Sequence, residues 1–373
     1  MQLPLKNLKV LDLSRVLAGP FCSMTLGDLG ADVIKVERPI SGDDTRSWGP
    51  PFDNRGQSAY FLSTNRNKLS IALDFRVTAD MTLLHALIEQ ADVVVENYLP
   101  NVLTRYGLDA SAKLAQNTRL IWCTISGFGP ESPRPGYDFV LQAESGWMSI
   151  TGAEVGAPMR TGVALVDVLA GKDATTAILA ALLSRDTLNA KRHVHIALAD
   201  SAAAALVNVA QNALVSGLDA RRWGNAHPNL VPYQLFEASD RSFVIAVGTD
   251  AQWIAAAKAL DLHVLADDPM LSTNAGRIAH RERLTTAMSE RLASHTALYW
   301  IRQLDMAGVP CGMVRSVREA LDGTAASSTT GVPSSVGGQT RYAPPVLNEH
   351  GFLIRTKNWS AFDHVPILDP QDV

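Results

Sequence analysis

The stretch LKVLDLSRVLAGPFCSMTLGDLGADVIKVE, residues 8–37, decides the fold. LKVLDL (8–13) is a short apolar run of the length of a buried strand. PFCSMTLGDLG (20–30) reads as a helix, with Pro20 in its first turn and Gly30 at its stop. DVIKVE (32–37) reads as a second strand. Strands this apolar are buried on both faces, and a helix between them implies a parallel sheet covered by helices.

The alternation continues outward from this unit. A helix near 79–90 leads to DVVVEN (92–97), and a short helix leads to LIWCTISG (120–127). A helix over 168–185, a strand HVHIALA (193–199) and an Ala-rich helix (200–217) follow. The expected architecture is α/β: a large Rossmann-like domain with a parallel sheet over 1–216, completed by 341–373. RRWGNAHPNLVP (221–232) is a loop with two prolines, which sets a linker at 217–232. YQLFEASDRSFVIAVG (233–248) reads as a hairpin. Helices near 250–260, 276–293 and 296–307, closed by VPCGMVRS (309–316), complete a smaller α+β domain over 233–316. DGTAASSTTGVPSSVGGQT (322–340) is of low complexity and falls in a second linker, 317–340.

Composition narrows the class. The 373 residues are 47% hydrophobic and 19% charged, with a formal charge of −4. That balance suits a folded core and offers nothing to nucleic acid or an anionic membrane surface. No apolar run reaches about 18 residues, the length of a span. MQLPLKNLKV has no apolar segment of signal-peptide length. Cys22, Cys123 and Cys311 are widely separated, which fits a reducing, cytoplasmic setting.

Several groups are candidates for chemistry. The first strand–helix junction lacks the glycines with which backbone approaches a dinucleotide pyrophosphate, so a nicotinamide site is disfavoured. Arg38 and Arg46 leave the second strand, and Lys68 and Arg105 read as loop cations near other strand ends. Such ends gather ligands in open α/β sheets, and together the cations suit a polyphosphate. His193 and His195 share a strand face but are too few for a metal cage. In TGVALVDVLAGKDA (161–174), Asp167 lies in an apolar run directly before a helical segment. It reads either as a helix cap or as a nucleophile that desolvation and positioning activate, and the two are compatible. With a reference pKa near 3.9, such a carboxylate is ionised at neutral pH. Arg160, shortly before it, reads either as a surface arginine or as a cation that pairs with a carboxylate of the substrate.

Taken in order, eight segments resemble the family III CoA-transferases, a group that includes formyl-CoA transferase and the α-methylacyl-CoA racemases. They are VLDLSRVLAGPFCSMTLGDLGADVIKVERPISGDDTR, NRNKLSIALDF, DVVVENYLPNVLTRYGLD, ISGFG, YDFVLQAESGWMSITG, TGVALVDVLAG, HPNLVPYQLF and VPCGMVRSVREAL. The resemblance runs from about Leu5 to His350. It implies Asp167 as the catalytic aspartate. It implies a coenzyme A site lined by Val16, Arg38, Leu73, Asn97, Tyr98 and Arg105, in the large domain. Leu17, Tyr137 and Asp138 fall where the family approaches the acyl group. Leu17 replaces a glutamine of formyl-CoA transferase. Tyr137 stands where the racemases have a histidine, which favours a transferase.

The implied reaction moves CoA from an acyl-CoA, such as succinyl-CoA, to a carboxylic or dicarboxylic acid. It runs through an aspartyl anhydride and an aspartyl-CoA thioester on Asp167. A racemase, isomerase or dehydratase of CoA thioesters is the alternative, and a CoA-binding protein without activity is a third reading. The implied partners are an acyl-CoA, a free acid and a second copy in an interlocked homodimer. No metal and no cofactor beyond CoA as substrate are expected. Two departures stand out: VGTDAQ (247–252) has one glycine where transferases carry a glycine-rich lid, and Asn348 stands where glycine is usual.

Overall fold

The computed structural model describes residues 3–187, 190–322, 331–332 and 337–368. Its first sheet has six parallel strands: β1 (Lys9–Asp12), β2 (Asp32–Glu37), β3 (Lys68–Ala72), β4 (Val93–Glu96), β5 (Ile121–Ser126) and β6 (His193–Ala197). Their order is β3-β2-β1-β4-β5-β6, so the chain reverses direction across the sheet between β1 and β4. Helices α1 (Ala18–Asp28), α2 (Ala59–Leu62), α3 (Thr78–Gln90), α4 (Ala110–Gln116), α5 (Asp138–Glu144), α6 (Trp147–Ile150) and α7 (Leu165–Ser184) lie between the strands. The alternation of the strands divides the core. Leu11, Ile34, Leu69 and Val94 join one cluster. Val10, Val33, Val93 and Val95 join another with Cys22 and Leu26 of α1 and Ala170 and Ala174 of α7. Gly171 permits close packing of α7 on α1, since a Cβ there would lie 2.8 Å from the carbonyl oxygen of Ala18.

The strand β3 corrects one reading. Lys68, expected as a loop cation, is fully buried inside this strand. Its Nζ donates to Asp12 Oδ2, the Pro20 carbonyl and Asn65 Oδ1, each at 2.9 Å. A lysine opening a strand reads as solvated in sequence, because its carboxylate partner is remote in the chain.

A second correction concerns the helix holding Asp167. It begins at Leu165, so Asp167 is its third residue and not its cap. The capping carboxylate comes from elsewhere: Asp138 Oδ1 accepts the Val166 N–H at 2.8 Å. The Ala-rich stretch divides into α8 (Leu198–Ala204) and α9 (Val207–Ser216), bent by 72°. Among the described residues no single helix is long and apolar enough to cross a membrane.

Two compact units divide the chain: 1–147, 160–216 and 323–373 form one, and 148–159 with 217–322 form the other. The first unit runs through 160–216 and takes up the chain again at 323, while 148–159 clusters with the second unit. There the Arg222 guanidinium donates to the carbonyls of Ala153 and Gly156 at 2.8 and 2.7 Å. Residues 217–232 are more than a linker, since Val231 is fully buried in the second unit's core. That core also holds Trp253, Trp300 and the antiparallel strands β7 (Tyr233–Glu237), β8 (Ser242–Ala246) and β9 (Cys311–Met313). VGTDAQ leads into α10 (Asp250–Ala259), with Thr249 and Gln252 forming a capping box. Of the expected linker 317–340, Val317–Ala320 is helical, while 323–330 and 333–336 lie outside the described residues.

The end of the chain completes the first unit beside β3. Asn348 has φ +58°, a left-handed conformation that explains why glycine suits this position. Its side chain accepts the Ala72 N–H at 2.9 Å, and His350 Nδ1 accepts that of Ser70 at 3.2 Å. Trp359 and Phe362 then enter the sheet's core.

Candidate active site

The site forms where β1, β4 and β5 end, at the reversal of strand order where open sheets leave a crevice. The loop after β1 is tightly held. Asn97, just past β4, brackets Arg15: its Oδ1 accepts the Arg15 N–H at 2.9 Å, and its Nδ2 donates to the Arg15 carbonyl at 2.7 Å. Val16 has φ +72°, an unfavourable conformation for a β-branched residue. Its N–H donates to both oxygens of Asp43, at 3.2 and 3.3 Å. The buried Lys35 ammonium supports both sides, 3.0 Å from the Asp43 carboxylate and 2.9 Å from the Ser14 carbonyl.

These contacts belong to a buried charge cluster. Asp12, Lys35 and Lys68 are all fully buried. Burial pushes the Asp12 carboxyl up, but Lys68 and Lys35, with Ser14 and Ser23, outweigh it and hold the group well below its usual range. Burial pulls Lys68 down to about 8 despite Asp12. Lys35 is raised, because Asp43, Asp12 and Glu37 overcome its desolvation.

Beside the loop is a chamber of about 290 Å³, lined by Val16, Leu17, Asn97, Tyr98, Tyr137 and Asp167 among others. A second cavity of about 580 Å³ is lined by Arg38, Leu73, Phe75 and Tyr106. Arg15, Tyr98 and Leu99 line both, so the two cavities meet at these residues.

Asp167 is 9% exposed. Burial raises its carboxyl from the ordinary range to about 7, and the negative Asp138 adds to the rise. This corrects the expectation of a fully ionised carboxylate at neutral pH. Asp138 stands behind the chamber, buried, with Oδ2 accepting from Gln142 Nε2 at 2.7 Å. Gln142 Oε1 in turn accepts the Thr161 N–H at 2.9 Å, tying down the approach to α7.

The structure therefore gathers Val16, Leu17, Asn97, Tyr98, Tyr137 and Asp167 at one chamber, and Arg38 and Leu73 at the next. Arg105 and Arg160 are exposed and line neither cavity. Arg46 is not a free cation: it pairs with the Glu37 carboxylate, with Nε and Nη2 both at 2.7 Å. Sequence reasoning passed over Arg15. The rule that selected Arg38, a cation at the carboxyl end of a strand, applies equally to it. Among the described residues no group of three or more His, Cys, Asp or Glu is arranged to hold a metal.

A parallel sheet with a cleft at its switch point and a buried aspartate on the cleft wall defines an α/β protein of the class that holds ligands beyond its strand ends. Comparison with known proteins is specific: the profile of CoA-transferase family III matches residues 5–347, and the chain belongs to that family. Succinyl-CoA:glutarate CoA-transferase of Mus musculus is 40% identical, over 93% of this chain and 84% of its own length. Succinate–glutarate CoA-transferase of Agrobacterium fabrum is also 40% identical, over 85% of this chain and 81% of its own. The crystal structure of a CaiB/BaiF family protein from Brucella suis superposes with a TM-score of 0.84, at 39% identity, over 96% of this chain and all of that one.

Proposed function

We propose that Asp167 is the nucleophile through which this family III CoA-transferase moves CoA from a dicarboxylic acyl-CoA, such as succinyl-CoA, to a free dicarboxylic acid. The observation that carries the reading is the chamber, which sets the buried Asp167 carboxyl beside Val16, Asn97 and Tyr98. The relatives' names, with succinyl-CoA and glutarate, support the substrate class.

The Asp167 carboxylate attacks the thioester carbonyl, the C–S bond breaks, and a mixed anhydride and CoA thiolate result. The thiolate attacks the aspartyl carbonyl, releasing the first acid and leaving an aspartyl-CoA thioester. The acceptor carboxylate attacks that thioester, re-forming an anhydride and the thiolate. The thiolate then takes the new acyl group and frees Asp167. Each hard displacement becomes two easier ones. The apolar Val166 and Leu17 restrict water near the anhydride. The first amides of α1, which has no side-chain cap, are candidates for the developing oxyanion. The Val16 amide is not one, being held by Asp43. The second cavity, with Arg38 and Leu73, suits the body of CoA. CoA is a substrate here, and no step calls for a metal or redox cofactor. Incubation with succinyl-CoA and hydroxylamine should leave a hydroxamate on Asp167 by mass spectrometry. Its absence during turnover would overturn the reading.

A raised pKa makes the reaction pH-dependent. Only the ionised carboxylate attacks, so kcat/KM should climb as pH rises through about 7. Asp138→Asn keeps an oxygen for the Val166 N–H but removes the charge, so the midpoint should move down. Burial, the larger cause, keeps it above the ordinary range. A flat profile from about pH 5.5 to 8.5 would refute a titrating nucleophile.

Self-association is part of the proposal. No residue of α9 is buried, and Leu214 and Val215 are 75% and 84% exposed. An apolar face of this kind supports a homodimer. Sedimentation should give twice the chain mass, and a monomer at micromolar concentration would count against it. The three cysteines are unpaired, which supports a reducing compartment such as the cytoplasm.

A further inference from the structure

We propose that Arg15 binds the second carboxylate of a dicarboxylic substrate, and so decides that the enzyme prefers dicarboxylic over monocarboxylic acyl groups. The inference rests on the reading of Asp167 as nucleophile. The chamber that contains Asp167 has two cations on its wall, Arg15 and Arg134. Arg134 is occupied: its Nη2 lies 2.6 Å from Glu144 Oε1, and its guanidinium lies over Phe128 at 4.0 Å. Arg15 differs in three ways.

Its backbone is fixed at both ends of the peptide by Asn97, and its guanidinium lies 5.4 Å from the centre of the Tyr98 ring. The side chain is therefore presented in one orientation, so little freedom is lost when a ligand binds. Its charge is not cancelled. Arg15 Nη1 lies 3.1 Å from Asp44 Oδ2, but the other oxygen of Asp44 is taken by Arg38 Nη2. One carboxylate is shared by two guanidinium groups, leaving a net positive charge where the cavities meet. Finally, Arg15 Nε is buried and has no hydrogen-bond partner among the described residues. A buried donor without a partner is rare, and it marks a place where a ligand atom completes the bonding. Nε shares an edge of the planar guanidinium with Nη2, away from the bond to Asp44. That edge matches the two oxygens of a carboxylate, and Asp44 on the neighbouring nitrogen holds it in place. Arg160, the cation suggested by sequence proximity to Asp167, lines neither cavity.

The test compares succinyl-CoA with butyryl-CoA, which have acyl chains of equal length and share the CoA moiety. Wild-type enzyme should favour succinyl-CoA in kcat/KM by about 10²-fold, the scale expected when a buried charged donor is left unpaired. Arg15→Gln should bring the ratio close to one, chiefly by raising the KM for succinyl-CoA, while the rate with butyryl-CoA falls far less. Arg15→Lys should recover part of the preference, since a point charge replaces the fork. An equal fall with both thioesters would overturn the proposal and assign Arg15 to CoA binding or folding. An unchanged ratio would overturn it as well. The Asp167 reading is checked separately: hydroxylamine trapping on wild-type enzyme tests the nucleophile, whereas the thioester ratio can be read from overall transfer.

Discussion

Asp167→Asn should abolish CoA transfer and make the ligand-free protein more stable. Loss of the proposed nucleophile should lower kcat/KM by about 10⁴-fold or more, the scale seen when a nucleophile is removed from a preorganised site. The stability effect follows from the raised pKa. A carboxyl that titrates near 7 in the folded chain and near 3.8 when unfolded binds its proton more tightly in the fold. Stability is then greatest below the unfolded value and falls as pH rises between the two, with the penalty complete above about 7. The penalty is on the order of 4 kcal/mol at most, taking 1.36 kcal/mol for each pH unit. Asparagine fills the same space without charge and avoids it. Thermal melts at pH 8 should show the variant several degrees above wild type, and at pH 4 the difference should shrink. A variant that melts lower at pH 8 would show that the ionised carboxylate has compensating partners in the fold. Loss of function with gain of stability marks a group kept in costly surroundings for its chemistry.

The second large effect lies behind the chamber. Lys68→Met should destabilise the protein by about 3–5 kcal/mol, because removing one partner of a buried ion pair strands the other. The Lys68 ammonium serves the Asp12 carboxylate, the Pro20 carbonyl and the Asn65 amide oxygen at once. Lys35, at 3.9 Å from Asp12, compensates only part of the charge. Methionine supplies the length of the stem and none of the donors. Asp12→Asn with Lys68→Met should cost less than the sum of the single changes, since the coupling between them is lost only once. Denaturant unfolding measures each. A single variant within about 1 kcal/mol of wild type would mean that water enters to replace the ammonium. The same cluster ties the Ser14–Pro20 loop to the sheet through Lys35 and Lys68, so looser packing there should also raise the KM for the thioester.

Much of this architecture was legible from pattern alone. The runs at 8–13, 32–37, 92–97 and 120–127 are apolar because both faces of a central parallel strand are covered, and helices separate them. From that alternation came the parallel sheet. The strand Lys68–Ala72 escaped the same reasoning, because a lysine opens it and a serine stands at its centre. Each is buried against a carboxylate: Lys68 against Asp12, and Ser70 against Glu37 at 2.7 Å. The resemblance groups Val16, Asn97, Tyr98 and Asp167 from sequence alone, and all four line one chamber. It also assigns Arg105 to the coenzyme A site, whereas Arg105 is exposed and lines neither cavity.

For this protein the sequence by itself determined the alternation of elements, the family motifs and the oddity of an aspartate among valines. Only the tertiary structure decided the surroundings of that aspartate. It placed Asp167 at the third position of its helix, capped that helix with Asp138 from 28 residues away, and so kept a negative charge nearby. It also set Arg15 between the two cavities. The physical reason is range. Periodicity and capping act over a few residues, whereas burial, charge pairing and the shape of a cavity arise from groups that meet only when the chain has folded.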